Sequence, residues 1–180
     1  MRWINILVKL AKGLTRKQFI RYRIHKVSRS IQGRERRKME QNSIVIMALA
    51  AGGKNAEYGP AQAQKLFFLI DKELNDLPDA PFFAFQPYDY GPFDKDVYSA
   101  LDSLKESGRV LVNHSSRYRK FALTEEGYQE GEKLLQEMSG HAKKFITDAA
   151  IWVQETSFQD MVSAIYTKYP DMKANSIFRS

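Results

Sequence analysis

Apolar side chains recur at helical spacing over much of the chain, and the clearest helices lie in its second quarter. An almost continuous apolar run over 43–51 predicts a short buried helix, with Ser43 as its N-cap and Gly52 just beyond its end. Pro60, which is tolerated in a first turn, begins a second helix. The inner face of that helix consists of Ala63, Leu66, Phe67, Ile70 and Leu74.

Aromatic residues alternate with smaller or polar residues after the second helix. This pattern over 82–90 predicts an extended, strand-forming segment, and Gly91-Pro92 predicts a turn behind it. Asp94 is the candidate N-cap of a third helix, and Gly108 is placed for its C′ residue.

A β-hairpin is predicted next, with strands over 110–112 and 118–123 that a turn over 113–116 connects. Thr124 caps the following helix, and two more helices extend to Pro170, the last of them capped by Ser157. The order of these elements predicts a mainly α protein with a small β-hairpin. More specifically, it predicts a winged helix-turn-helix with extra C-terminal helices, in which the third helix and the hairpin wing are the usual DNA contacts.

The charge is distributed unevenly. The 180 residues have a net charge of +7, yet residues 1–40 alone hold 13 basic and two acidic side chains. The remaining residues hold 15 basic and 19 acidic side chains, a net charge of −4. We therefore divide the chain into a basic N-terminal segment, 1–38, and a slightly acidic domain, 39–180.

Four interpretations of residues 1–38 stay open. Apolar residues at helical spacing among the cations indicate a basic helical arm that packs on the domain or binds an anionic surface. An interfacial membrane helix has the same pattern, and an organellar transit peptide is also Arg-rich and poor in acids. The fourth interpretation is a mis-assigned N-terminal extension, because Met39 opens a stretch typical of a protein start and 33–38 reads like a translated ribosome-binding site.

Composition bears on the chemistry of the protein. The chain has no cysteine, which excludes disulfides, thiolate metal sites and thiol nucleophiles, and we expect a cytoplasmic protein. No apolar run approaches the roughly 20 residues that cross a bilayer, so we expect no stable membrane insertion. The three histidines lack metal-ligand spacing, and no phosphate-binding loop or nucleophile elbow occurs. We predict a non-catalytic protein with no metal site and no cofactor.

Several stretches of the sequence are similar to one protein family. Gln64–Asp71, Tyr88–Phe93 and Phe121–Gly127 resemble the Panacea domain, the SocA-like antitoxin family, and most closely its YwgA-like bacterial relatives. Tyr169–Phe178 resembles the end of those relatives, so the resemblance covers 43–178. It implies a protein that binds a protein partner, either a cognate toxin that it neutralises or a partner for which it acts as an adaptor.

We expect the partner surface to combine the aromatic segment with the third helix. The candidate contact residues are Phe85, Tyr88, Tyr90, Phe93, Asp94 and Lys95. The alternative for the aromatic residues is core packing, with a strand that pairs with the wing, or a base-stacking surface. The segment 94–107 contains four carboxylates and two lysines, which disfavours contact between this helix and DNA phosphates.

The alternative function is that of a DNA-binding transcriptional regulator that uses the wing and the basic N-terminal segment. The candidate nucleic-acid contacts are His114, Arg117, Arg119 and Lys120. A solvated turn is the simpler interpretation of the same cations. The sequence indicates neither the oligomeric state nor the identity of a partner.

Two further polar features are interpreted as structural. Lys65 lies on a mostly apolar helix, and we expect it to form an ion pair with Asp89 or Asp71. The carboxylates near the end of that helix are interpreted as a solvated face: Asp71, Glu73, Asp76 and Asp79.

Overall fold

The computed structural model describes residues 33, 35–75, 77–114 and 118–178. The chain divides into two units, Met1–Lys38 and Met39–Ser180. The interpretations of 1–38 fall almost entirely on residues outside this description, as do the candidate contact Arg117 and the carboxylate Asp76.

The described part of the second unit is mainly helical, with small antiparallel sheets. Its helices are α1 (35–50, of which 39–50 belong to this unit), α2 (Pro60–Glu73), α3 (Lys95–Glu106), α4 (Glu125–Glu137), α5 (Gly140–Glu155) and α6 (Phe158–Lys168), followed by a 3-10 helix over Pro170–Lys173. Its strands are β1 (Glu57–Tyr58), β2 (Gln86–Tyr88), β3 (Gly91–Phe93), β4 (Val110–Asn113) and β5 (Lys120–Leu123). No helix in the described ranges is both long and apolar enough to span a membrane.

The strands form two separate antiparallel sheets. One has the order β1-β5-β4, with Phe121 of β5 opposite Tyr58 on one side and Val112 on the other. The other sheet contains β2 and β3 alone. The predicted pairing of the aromatic segment with the wing is therefore wrong. The predicted position of the turn is also wrong. The turn lies at Asp89-Tyr90, and Gly91-Pro92 belongs to β3.

Helix α1 lies in the centre of the hydrophobic core, where residues 44–50 are all buried. Leu66 of α2, Ile146 of α5 and Phe121 of β5 belong to the same core cluster and are each fully buried. The prediction of Ser43 as an N-cap is wrong. The chain is already helical before Ser43, whose hydroxyl donates to the carbonyl oxygen of Met39 at 2.9 Å.

Local capping signals are confirmed at three later helices. The carboxylate of Asp94 accepts from the backbone N–H of Asp96 at 2.8 Å. The hydroxyl of Thr124 accepts from Gly127 at 3.0 Å, and that of Ser157 accepts from Asp160 at 3.2 Å. These caps satisfy backbone donors that have no partner within the helix.

Candidate functional site

The candidate site is centred on the two-stranded hairpin Gln86–Phe93, here called the tyrosine hairpin. Its tyrosines are open to solvent, since 53% of Tyr88 and 44% of Tyr90 is exposed. Gly91 has a φ of +95°, which favours glycine, and a Cβ there would lie 3.4 Å from the ring of Tyr166. At Gly91 the backbone of the hairpin therefore packs closely against the ring of Tyr166.

Helix α2 holds the base of the tyrosine hairpin through two buried polar side chains. The amide of Gln64 makes two hydrogen bonds to the backbone of Asp94, donating to its oxygen at 2.9 Å and accepting from its nitrogen at 3.0 Å. The ammonium of Lys65 donates to the carbonyl oxygen of Pro92 at 3.1 Å. Backbone groups that lie away from water are thereby paired with side chains.

The expected ion pair of Lys65 is wrong. Among the described residues no carboxylate forms a salt bridge with it, and only 3% of the residue is exposed. Burial lowers the pKa of Lys65 from its ordinary 10.5 to about 8.

Asp71 holds the segment that leads into the hairpin. Its carboxylate accepts from the backbone N–H of Phe82 at 2.8 Å and from that of Phe83 at 2.9 Å. Gln41 of α1 donates to the carbonyl oxygen of Phe82 at 2.8 Å. Asp71 is 7% exposed, so its assignment to a solvated face is wrong. It lies seven residues after Gln64 and hence on the same face of α2.

The C-terminal segment holds the tip of the hairpin from another side. The backbone N–H of Ile177 donates to the carbonyl oxygen of Asp89 at 3.0 Å. Asn175 donates to the carbonyl oxygen of Pro87 at 3.1 Å. The hydroxyl of Tyr166 donates to that of Ser176 at 2.6 Å. Three of the stretches that carry the family resemblance thus meet at one place.

Two of the predicted contact residues support the site from inside. Asp94 is 8% exposed, and its second carboxylate oxygen accepts from the N–H of Ala84 at 2.6 Å. Phe85 packs edge-on against Phe68, with 5.5 Å between ring centroids. Lys95 is exposed in the first turn of α3.

Two other predicted residues, Tyr88 and Phe93, belong to an aromatic row that continues to Tyr98 of α3. Tyr88 lies 5.1 Å from Phe93, and Phe93 lies 5.8 Å from Tyr98, measured between ring centroids. The guanidinium of Arg119 lies over Tyr98, 4.6 Å from its ring centroid. We call Tyr88, Phe93, Tyr98 and Arg119 the aromatic row.

Two of the predicted wing cations are engaged within the fold. Arg119 lies over the ring of Phe121 as well as that of Tyr98. Lys120 forms an ion pair with Glu57 at 2.9 Å, which lowers the pKa of Glu57. His114 is exposed at the end of the wing. The structure therefore leaves fewer cations for phosphate contact than the sequence indicates.

A groove opens beside Tyr90, on the other side of the tyrosine hairpin. Tyr90 packs edge-on against Phe158, with a centroid distance of 5.4 Å. The groove has a volume of about 600 Å³, and we call it the aromatic groove. It is lined by Gly59, Pro60, Ala61, Gln62, Tyr90, Tyr118, Lys120, Thr156, Phe158 and Met161.

A second depression, of about 430 Å³, lies between α2, α5 and α6. Its rim carries the ion pair between Glu73 and Lys168, at 2.8 Å, and the hydroxyl of Tyr169 donates to the same carboxylate. These contacts lower the pKa of Glu73, and burial raises that of Tyr169. The charges of Glu73 and Lys168 on this rim therefore neutralise each other.

Sequence reasoning missed the role of Tyr98, Tyr118 and Phe158 at these surfaces. Tyr98 and Phe158 match apolar stripes at helical spacing, a pattern that predicts inward-facing side chains. A usable signal is the position of Phe158 directly after the cap Ser157, since the first residue of a helix often stays partly open to solvent; here 39% of it is exposed.

Within the described ranges, no group of three or more His, Asp or Glu side chains converges to hold a metal ion. No protein-family model matches the chain, and a search of curated proteins finds no match to it.

Proposed function

We propose that residues 39–180 form a non-catalytic winged-helix domain that binds a protein partner, in the manner of an antitoxin or an adaptor. The winged-helix assignment is supported by the element order α1, β1, α2, α3, β4, β5, interrupted only by the tyrosine hairpin. The strand order β1-β5-β4 also supports it, because the β4-β5 hairpin that follows α3 pairs with β1 in one sheet, as the wing of such a domain would.

The exposed apolar surface around the tyrosine hairpin carries this proposal. Large side chains that are at least one third exposed gather there: Tyr88, Tyr90, Tyr118, Phe158 and Ile177. Exposed apolar patches of this kind mark interaction sites, and tyrosine is enriched among the residues that dominate binding energy. Gln64 and Lys65 make buried hydrogen bonds at the base of the hairpin, and Asp71 accepts buried hydrogen bonds from the segment that leads into it, so the hairpin is held in place and loses less entropy on binding.

Charge favours a protein over DNA at this surface. The exposed charged residues of α3 are Asp96, Asp102 and Glu106 against Lys95 and Lys105. An acidic helix repels the phosphate backbone, whose neutralisation dominates DNA affinity. The engagement of Arg119 and Lys120 within the fold weakens the alternative further.

The test is co-expression of the full chain with the product of each neighbouring gene. We expect the wild type to form a complex with one of them and to restore growth where that product is toxic. Tyr88→Ala and Tyr98→Ala should weaken the complex about tenfold or more, because they remove central aromatic contacts. Leu111→Ala is the matched control, since Leu111 is 56% exposed on β4 and lies outside the aromatic row.

Complexes of equal affinity for the wild type, Tyr88→Ala and Tyr98→Ala would contradict the proposed surface. The absence of any complex with a neighbouring product would contradict the antitoxin-like role. A gel shift of duplex DNA at physiological salt, weakened by His114→Ala and by added salt, would instead favour the transcriptional regulator.

A further inference from the structure

We propose that residues 175–178, here called the C-terminal strap, control the tyrosine hairpin. While the C-terminal strap is docked, it holds the tip of the hairpin in the arrangement that binds the partner. When it is released, the domain stays folded and binds the partner weakly. This inference rests on the proposed protein-binding function and names a means of regulating that same site.

The C-terminal strap contacts the backbone of the hairpin on both sides of the last β2 residue. Asn175 donates to the carbonyl oxygen of Pro87 at 3.1 Å. The backbone N–H of Ile177 and the hydroxyl of Ser176 both donate to the carbonyl oxygen of Asp89, at 3.0 and 3.3 Å. Asp89 begins the turn between β2 and β3. The C-terminal strap therefore fixes the outer end of the hairpin, whereas α2 fixes its base.

Ser176 connects the C-terminal strap to its surroundings. A serine hydroxyl offers one donor site and two acceptor sites. The hydroxyl of Ser176 accepts from the hydroxyl of Tyr166 at 2.6 Å and from the backbone N–H of Phe178 at 3.0 Å. It donates to the carbonyl oxygen of Asp89. All three sites are therefore used, and a single hydroxyl joins α6, the C-terminal strap and the turn of the hairpin.

The C-terminal strap also supports Tyr90 through a series of aromatic contacts. The ring of Phe178 lies 6.1 Å from that of Phe158 and 6.4 Å from that of Tyr166, measured between centroids. Phe158 in turn packs edge-on against Tyr90 at 5.4 Å. Edge-to-face pairs of this kind stabilise beyond the area that they bury. The position of Tyr90, which belongs to the proposed partner surface, therefore depends on Phe178 by way of Phe158.

The C-terminal strap can detach without unfolding the domain. None of its residues belongs to the main core cluster, and the last buried residue along the described chain is Met172. Asn175 and Ile177 are exposed. Segments with few buried apolar contacts open at a smaller free-energy cost than the whole domain. Release therefore frees the tip of the hairpin, while the hydrogen bonds from Gln64 and Lys65 keep its base in place.

A free tip weakens partner binding for a thermodynamic reason. A ligand that binds only the ordered hairpin has its apparent affinity reduced by the fraction of molecules in which the hairpin is ordered. The ordering of the tip is then also an entropy cost of binding. The state of the C-terminal strap thus sets the affinity of a surface to which most of its own side chains do not belong.

The experiment is amide hydrogen exchange of the tyrosine hairpin, measured residue by residue by NMR. The variants are Ser176→Ala in the full chain and a chain that ends at Ala174 and so lacks the C-terminal strap. Ser43→Ala is the matched control, because the hydroxyl of Ser43 donates within α1. The reporting amides are those of Tyr88 and Gly91, which pair next to the turn. The amides of α2 serve as the internal reference.

We expect the amides of Tyr88 and Gly91 to exchange at least about tenfold faster in the chain that ends at Ala174. Ser176→Ala should accelerate them by a smaller factor, and Ser43→Ala should match the wild type. The amides of α2 should change far less in every variant. Unchanged exchange at Tyr88 and Gly91 would overturn the inference. An equal acceleration throughout α2 would overturn it as well, because the C-terminal strap would then stabilise the whole fold and not the hairpin.

Partner binding is measured with the neighbouring gene product that forms a complex in the co-expression experiment. The chain that ends at Ala174 should bind it about tenfold more weakly. Ile177→Ala tests for direct contact, because Ile177 is 59% exposed and the variant keeps the backbone N–H that donates to Asp89. It should bind more tightly than the chain that ends at Ala174. Equal losses in the two proteins would show that the segment contacts the partner directly, which contradicts control through the hairpin.

The two measurements separate this inference from the proposed function. If a complex forms and the wild type and the chain that ends at Ala174 bind equally, the inference fails and the protein-binding function stands. If hairpin exchange depends on the C-terminal strap and no neighbouring product forms a complex, the hold of the C-terminal strap on the hairpin stands and the antitoxin-like role fails.

Discussion

The ammonium of Lys65 lies 3.1 Å from the carbonyl oxygen of Pro92 and is almost completely buried beneath the tyrosine hairpin. Among the described residues this is its one hydrogen bond, and a buried cation bonded only to a neutral carbonyl loses more hydration than that bond replaces. The residue that holds the hairpin therefore also destabilises the fold while it is charged. This conflict makes Lys65 a sensitive probe of the site.

We expect the free energy of unfolding to rise with pH because of Lys65. Its pKa is about 8 in the folded state and 10.5 in its ordinary state, so the unfolded chain binds more protons between these values. Stability is therefore lowest below the folded pKa and increases as the pH rises through the window. Relative to Lys65→Met, the wild type should gain about 2 kcal/mol between about pH 7.5 and about pH 9.5.

Urea unfolding of both proteins across this pH range measures the difference. Tyr58 and Tyr169 also have raised pKa values, but both proteins contain them and their effect cancels. Lys95→Met replaces an exposed lysine and should follow the wild type. Parallel pH profiles for the wild type and Lys65→Met would contradict the burial of a titrating ammonium.

Asp71→Asn should destabilise the protein by about 1–3 kcal/mol, because a neutral amide cannot accept from both Phe82 and Phe83 as the carboxylate does. Asp102→Asn changes an exposed carboxylate of α3 and should shift stability by less than about 0.5 kcal/mol. Chemical denaturation at one pH compares the two. Equal effects would show that the carboxylate of Asp71 contributes nothing specific.

Gly91→Ala should cost about 1–3 kcal/mol and reduce partner binding, because it combines a left-handed φ with close neighbours. Two other glycines separate these contributions. Gly108 has a φ of +76° and nothing within 4 Å of an added Cβ, so Gly108→Ala measures the conformational cost alone. Gly140 begins α5 with open space around it, and Gly140→Ala should be neutral or slightly stabilising.

Thermal unfolding ranks the three glycine variants by their stability. Stability should fall in the sequence Gly140→Ala, Gly108→Ala, Gly91→Ala. A Gly91→Ala protein as stable as Gly108→Ala would show that the hairpin moves away from Tyr166 without loss.

Asp94→Ala should destabilise the protein by about 2 kcal/mol, more than the removal of an ordinary helix cap. The reason is that its carboxylate accepts from Asp96 within α3 and from Ala84 in the segment before the hairpin. Asp96→Ala, which removes an exposed acid from the same helix turn, is the matched control. In guanidinium denaturation, Asp94→Ala should be much less stable than Asp96→Ala. The reverse order would refute a role of the Asp94 carboxylate in both α3 and the segment before the hairpin.

The sequence predicted those features whose cause is local. The cap at Thr124 follows from a hydroxyl next to a helical pattern, and the β4-β5 hairpin follows from two short apolar strands around a polar turn. The mainly helical fold with a small antiparallel sheet is confirmed in the same way. Strand β1 was not predicted, because two residues carry no periodic pattern and its position depends on pairing with β5.

The interior of the site depends on contacts that the sequence pattern does not contain. By residue type Asp71 does not differ from Asp79, which is exposed, but the chain reverses after α2 and brings the backbone of Phe82 to the carboxylate of Asp71. Lys65 reads as one member of an ion pair, yet its partner is a carbonyl 27 residues away. The type of a residue predicts which groups its side chain can bind. Which of those groups lies within reach depends on the fold of the backbone.

During synthesis of the chain, the contacts that hold the tyrosine hairpin become available at different times. Synthesis delivers Lys65 and the tyrosine hairpin early, but the hydrogen bonds from Asn175 and Ile177 span 88 residues and reach the hairpin last. While the ribosome still holds these residues, the hairpin has its support from α2 and lacks its support from the C-terminal segment. A partner that recognises the fully held hairpin would therefore bind chains in which Asn175 and Ile177 have already reached it, and not those in which these residues are still to be made.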